Sequence, residues 1–165
     1  MYNQLIHSLT CEMIRFDQGD PGRIQHFLKV HSFARIIGIG ENLDEDALFT
    51  LEAAALAHDI GIRPAEEKYG SCNGKLQEQE GPAPAKEMLT RLGFEKNMIE
   101  RVCFLIAHHH TYDQVDGIDY RILLEADALV NLYEGNVPKE GIAASLASVF
   151  RTGTGIRLCK TMFTL

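Results

Sequence analysis

The stretch from residue 53 to residue 61, Ala-Ala-Ala-Leu-Ala-His-Asp-Ile-Gly, decides how the chain folds. It closes a series of apolar residues with helical spacing that starts near Asp44 and includes Leu48 and Leu51. Small side chains let a second helix approach closely. His58 and Asp59 follow at the helix end, where carbonyl groups point outward and a cation is favoured.

Helical spacing continues through most of the remaining sequence. The predicted helices cover residues 3–17, 21–37, 44–61, 83–92, 95–110, 118–134 and 138–150. Residues 62–82 are predicted to be irregular because proline and glycine interrupt every period, and the tail after Gly153 shows no clear period. No alternating run of β-branched residues indicates a strand.

The sequence therefore predicts one all-α domain over residues 1–165, a bundle of six to seven helices. We expect the residues that carry chemistry within a core at about 20–135. Residues 136–165 should form a C-terminal helix and a tail.

The composition limits the class of protein. The 165 residues are 45% hydrophobic and 24% charged, which suffices for one core without disulfides or a structural metal. A net charge of -7 disfavours broad nucleic-acid binding. No apolar run approaches the ~18 residues of a membrane span, and charged residues near the N-terminus argue against a signal peptide. The four cysteines have no Cys-x-x-Cys spacing, so we expect a cytoplasmic protein with free thiols and no membrane contact.

Two polar residues lie on helix faces that should be buried. His26 shares a face with Val30 and Ile37, and Asp127 shares a face with Val130. A buried carboxylate costs several kcal/mol unless it is paired or binds a metal. The alternatives are a core histidine with one hydrogen bond and an aspartate paired with an arginine or a tyrosine. Glu125 points the other way and is expected in solvent.

Histidines are unusually frequent, with seven in the chain and three in a row at residues 108–110. His109 continues the apolar stripe of its helix, and at most two of the three can face one site. A run of surface histidines is the alternative. Similarly, His58 and Asp59 alone could be a histidine at a helix end beside an exposed aspartate.

Three segments taken together resemble the HD-domain superfamily of metal-dependent phosphohydrolases. They are His26-Phe-Leu-Lys-Val30, Ala54-Ala-Leu-Ala-His-Asp-Ile-Gly61 and Glu125-Ala-Asp-Ala-Leu129. The resemblance implies an all-α bundle that binds one divalent metal ion, which could be Mn, Fe, Ni, Zn or Mg. The implied metal ligands are His26, His58, Asp59 and Asp127. Two imidazoles and two carboxylates would leave coordination positions open for water and a phosphate oxygen.

Some binuclear members of that superfamily carry further histidines in the loop before residue 82 and near residue 109. Here Gln77-Glu-Gln-Glu-Gly81 has glutamine at the first of those positions, so the standard two-metal site is not expected. His109 would then lie behind the ligands, act as a general acid or contact the substrate.

The leading hypothesis is a phosphohydrolase that uses metal-activated water on a small phosphorylated metabolite or nucleotide. Asp59 would orient the water, and His109 or His110 would protonate the leaving group. The irregular segment supplies the predicted substrate-binding residues Arg63, Lys68, Lys75 and Glu80. The alternative for each of its cations is an ordinary solvated surface position.

Two other functions stay open. The same scaffold could be a non-hydrolytic sensor that binds metal and nucleotide. A di-iron oxygenase would need Glu78, Glu80 or His109 to complete a second site. The expected partner is a small phosphorylated molecule, and the sequence leaves a homodimer open.

Overall fold

Side chains at the helix starts explain several element boundaries. Asp20 and Asp44 each accept a hydrogen bond from a backbone N–H three residues later, at 3.0 and 2.8 Å. Asn73 and Thr152 cap two further helices in the same way. Such caps satisfy N–H groups that lack a partner within the helix.

The computed structural model describes residues 1–165 and contains ten helices and no strand. In chain order these are α1 (Tyr2–Phe16), α2 (Pro21–Gly40), α3 (Glu45–Ala57), α4 (Ile62–Tyr69), α5 (Gly74–Glu80), α6 (Pro82–Leu92), α7 (Lys96–Ile106), α8 (Ile118–Glu134), α9 (Lys139–Val149) and α10 (Gly153–Phe163). The all-α prediction is confirmed, and the helix number exceeds the predicted six to seven.

Helix α3 lies at the centre of the bundle. Every residue from Phe49 to Ala57 is buried, and α3 contacts α1, α2, α7 and α8. The sequence predicted that α2 ends at Ile37, but the helix continues to Gly40. A Cβ atom at Gly38 would lie 2.7 Å from Leu48 Cδ1, so the absence of a side chain there allows α2 and α3 to pack closely.

The prediction of an irregular segment at 62–82 was wrong. Helices α4 and α5 occupy most of it, with Gly70 at the end of α4 and Asn73 as the cap of α5. Pro64 lies in the first turn of α4, where the missing N–H costs no helical hydrogen bond. Helices of eight and seven residues are too short to show a clear apolar period.

The expected exposure of Glu125 was also wrong. Its carboxylate accepts hydrogen bonds from the backbone N–H groups of Arg151 and Thr152, at 2.6 and 2.9 Å, and from Thr152 Oγ1 at 2.5 Å. Glu125 is fully buried, and burial raises its pKa. These contacts fix the start of α10, a helix that packs against α8 and α9 and that showed no clear period in the sequence.

No helix has the length and apolar character needed to cross a membrane. All four cysteines have free thiols, as expected.

Candidate metal centre

The end of α3 places the first two side chains of the site. The helix ends at Ala57, and His58 and Asp59 follow in a turn. His58 is completely buried, and its Nδ1–H donates a hydrogen bond to the Ala55 carbonyl at 2.8 Å. In the neutral ring the lone pair is therefore on Nε2, which points away from the helix end.

His26 on α2 also donates a hydrogen bond from Nδ1, as His58 does. Its Nδ1 lies 2.8 Å from Glu134 Oε2, and Glu134 is also paired with Lys29 at 2.6 Å. Because a carboxylate only accepts, His26 donates from Nδ1 and its lone pair is on Nε2. Sequence reasoning missed Glu134, although it lies seven residues after Asp127 and so on the same face of α8.

The structure brings together all four residues that the resemblance implied as ligands. His26 Nε2 lies 3.3 Å from His58 Nε2, 3.1 Å from Asp127 Oδ1 and 3.4 Å from Asp59 Oδ2. His58 Nε2 lies 3.3 Å from Asp59 Oδ2. Ligands of one ion with bonds of about 2.1 Å lie roughly 3 to 3.5 Å from one another.

These atoms are all acceptors, which is unfavourable without a cation between them. The imidazole lone pairs of His26 and His58 face Asp59 Oδ2 and Asp127 Oδ1, at 3.1 to 3.5 Å. Only a bound cation or extra protons can remove that repulsion. The donor set fits a divalent ion, because neutral imidazole and carboxylate are the ligands that Zn, Mn, Fe and Ni accept.

The pKa values of His58 and Asp127 show the same need for positive charge in the cluster. Burial by itself lowers the pKa of His58, but the Asp59 and Asp127 carboxylates outweigh burial and raise that pKa well above its usual range. Burial raises the pKa of Asp127, but once His26 and His58 take up a second proton on Nε2, their hydrogen bonds and positive charge outweigh burial and hold that pKa below its usual range.

His109 supplies a buried nitrogen that no hydrogen bond satisfies. Its ring is 1% exposed, and Nδ1 donates to the Ile106 carbonyl at 2.7 Å. His109 Nε2 is buried without a hydrogen-bond partner and lies 3.4 Å from Asp59 Oδ1. Asp59 thus turns one oxygen to the first cluster and the other to His109. Together with His110 these two residues form a second group that could hold a metal ion.

A family model for the HD domain matches residues 23–150. The chain belongs to the HD domain family. No curated protein and no solved structure matches the chain significantly. The matched region contains both groups of histidines and aspartates, and it extends beyond the predicted core at about 20–135 through α9.

His110 is held by the short helix α5 of this HD domain. Gln77 Nε2 donates to the Cys72 carbonyl at 2.6 Å, so Gln77 Oε1 is the atom that faces His110 Nε2 at 2.9 Å. His110 therefore carries its hydrogen on Nε2. A Cβ atom at Gly74 would lie 2.7 Å from His110 Cγ, so this glycine allows the ring to lie against α5.

Glu78 fixes the backbone of the same segment. Its Oε1 accepts hydrogen bonds from His110 N and Thr111 Oγ1, each at 2.9 Å. Glu80 instead pairs with Lys68 and accepts from Tyr69. Neither glutamate belongs to the second group, so of the three residues that the oxygenase alternative named, only His109 lies in it.

An open cavity of about 300 Å³ lies over the first cluster. Its lining includes His26, Asp59, Asp127, Gln77 and His110, and Ile62 is the single apolar side chain. Arg23 is the one arginine or lysine in this lining, and its guanidinium is paired with Glu66 at 2.8 Å. Sequence reasoning did not single out Arg23, although it lies three residues before His26 at the start of α2.

None of the four predicted substrate-binding residues lines this cavity. Arg63 donates to the Phe16 carbonyl, Lys68 pairs with Glu80 at 3.2 Å, and Lys75 is exposed. These residues do not reach the cavity because α4 and α5 are ordered helices, and their charged groups pair with one another or face solvent. The contact of these residues with substrate stays a prediction.

Proposed function

We propose that this HD domain is a metal-dependent phosphohydrolase that acts on a small phosphorylated metabolite or nucleotide. One observation carries the proposal. The four acceptor atoms of His26, His58, Asp59 and Asp127 converge beside an open polar cavity that is large enough for a phosphate ester.

These four residues would hold one divalent ion, of which Mn, Fe, Ni, Zn and Mg are the candidates. Such an ion, when bound, lowers the pKa of a water molecule and polarises a phosphoryl oxygen. Asp59 lines the cavity beside the cluster, so its carboxylate can orient the attacking water.

Two further side chains fit the substrate. The Arg23 guanidinium lines the cavity and can donate hydrogen bonds to phosphate oxygens. His109 and His110 are the proposed proton donors to the leaving-group oxygen. His110 lines the cavity whereas His109 is buried behind Asp59, so His110 can reach the substrate if its Nε2–H leaves Gln77 Oε1.

The test uses protein loaded separately with Mn, Ni, Fe, Zn and Mg, and a panel of phosphate monoesters and nucleotides. We expect phosphate release with at least one metal and loss of both metal and activity in His58→Ala. His7→Ala is the matched control, because His7 is an exposed histidine on α1 outside the cavity. Absence of phosphate release with every metal would refute the hydrolase.

Two outcomes of the same experiment favour the alternatives. Stabilisation by nucleotides that depends on metal but occurs without turnover would indicate a sensor.

The second group of Asp59, His109 and His110 is the one observation that favours the di-iron alternative. About two iron ions per chain together with oxygen consumption would support that oxygenase.

A further inference from the structure

A second, apolar groove of about 180 Å³ lies between α8 and α9. Five of its seven lining residues are apolar, namely Tyr112, Ala128, Leu132, Val137 and Val149. The polar cavity over the metal cluster has one apolar residue among ten. The molecule therefore places two recesses of opposite character along the same helix.

Asn131 lines both recesses and so joins them. On α8, Asp127 faces the polar cavity and the next residue, Ala128, lines the groove. The Asn131 side chain is exposed, and its amide makes no hydrogen bond within the protein. A ligand that passes from one recess to the other would meet a free amide at the junction.

The groove is built on ordered backbone. Helices α8 and α9 pack against each other, and the turn between them is closed by a hydrogen bond from Val137 N to the Leu132 carbonyl at 3.1 Å. Tyr112 stands at its edge with 48% of its surface exposed. An exposed aromatic ring beside an apolar recess is well suited to stack on another ring.

We propose that the substrate is a phosphate monoester whose alcohol part carries an aromatic ring. The phosphate lies in the polar cavity and the ring lies in the groove against Tyr112. Where the alcohol part is longer than the ring alone, Asn131 at the junction donates to its polar atoms. An apolar cavity of about 150 Å³ is known to hold benzene, so the volume of the groove suits one ring system. This inference rests on the proposed function.

Two phosphonates that cannot be hydrolysed test the groove. We expect metal-loaded protein to bind phenylphosphonate about tenfold more tightly than methylphosphonate in calorimetry, as is typical when one ring is stacked. In Ser145→Phe a new ring fills the groove from α9, so the two Kd values should become equal while that of methylphosphonate is unchanged. Ser148→Phe is the matched control, because Ser148 is an exposed serine on the same helix outside the groove.

Tyr112→Ala gives a second variant should Ser145→Phe fail to fold, and Tyr133→Ala is its control on exposed surface. We expect Tyr112→Ala to lower the preference for phenylphosphonate several-fold. Equal binding of the two phosphonates by the natural protein, or a preference that neither groove variant reduces, overturns the inference.

Turnover separates this inference from the proposed function. A preference for phenylphosphonate without hydrolysis of any ester would refute the hydrolase and support the groove. Equal kcat/KM for phenyl phosphate and glycerol phosphate would support the hydrolase and refute the groove. Adenosine monophosphate and phenyl phosphate, compared in Asn131→Ala and in the natural protein, test the contact at the junction. We expect the KM for adenosine monophosphate to rise by a larger factor than the KM for phenyl phosphate, and equal factors contradict that contact.

Discussion

Glu125 and Asp127 are two buried carboxylates only two residues apart on α8, and they face opposite kinds of partner. Glu125 accepts hydrogen bonds from three donors at the start of α10. Asp127 faces imidazole nitrogens whose hydrogens are already directed elsewhere. Burial of a carboxylate is therefore no mark of function by itself. A buried carboxylate among hydrogen-bond donors stabilises the fold, whereas one among other acceptors is suited to bind a cation.

The largest expected effect comes from a substitution of Asp127, the carboxylate that we expect to bind the metal ion. Asp127→Asn removes a ligand charge, so we expect bound metal to be lost and phosphatase activity to fall about a thousandfold, since metal catalysis supplies several kcal/mol. Elemental analysis and phosphate release measure the two results. Glu125→Gln is the control and should retain its metal. Equal metal contents in Asp127→Asn, His58→Ala and the natural protein would show that the ligand assignment is wrong.

The next largest effect comes from a substitution of Glu125, which should change the stability of the fold but not metal binding. Glu125→Ala leaves three donors near Thr152 without their acceptor, so we expect a loss of about 3 kcal/mol in the free energy of unfolding. Urea unfolding measures this loss, and the metal content of the folded fraction should be unchanged. A stable variant that has lost its metal would reverse the roles assigned to the two carboxylates.

Glu134 provides an intermediate case, because it touches a ligand without being one. Glu134→Ala removes the acceptor that orients His26, so metal affinity should fall by about 10- to 100-fold. Lys29→Ala is the matched control, since it breaks the Lys29–Glu134 pair but leaves the contact with His26. Competition with a chelator measures both. Equal losses in the two variants would indicate that the ion pair, not the orientation of His26, matters.

The smallest effect concerns an exposed carboxylate. A hydrogen bond from Arg101 holds the pKa of Asp116 below its ordinary value of 3.8. The pair therefore stabilises the fold above pH 3.8, and the stabilisation is lost as the pH falls through the lower pKa of the folded state. Asp116→Asn should cost less than about 1 kcal/mol at neutral pH, with the difference vanishing in acid. A difference that grows in acid would contradict this sign.

The helical period predicted the long helices and the burial of α3, because each of those segments presents a continuous apolar face. It failed for α4, α5 and α10, where short length or glycine and proline conceal the period. It failed for Glu125 because α8 is buried on more than one side, which a one-faced helix does not anticipate. Gln77 was noted in the sequence, but its hydrogen bond to His110 depends on the placement of α5.

The sequence by itself determined the helical class, the family and the four residues that we expect to bind metal. It could do so because the side-chain direction along a helix follows from residue spacing, and because the three motif segments are local. Only the tertiary structure decided that His26 and Asp127, 101 residues apart, lie 3.1 Å from each other. It also decided that Arg23 lines the cavity whereas Lys68 does not. Local sequence fixes which face of a helix is apolar, but the packing of one helix on another depends on the shapes of all of them together.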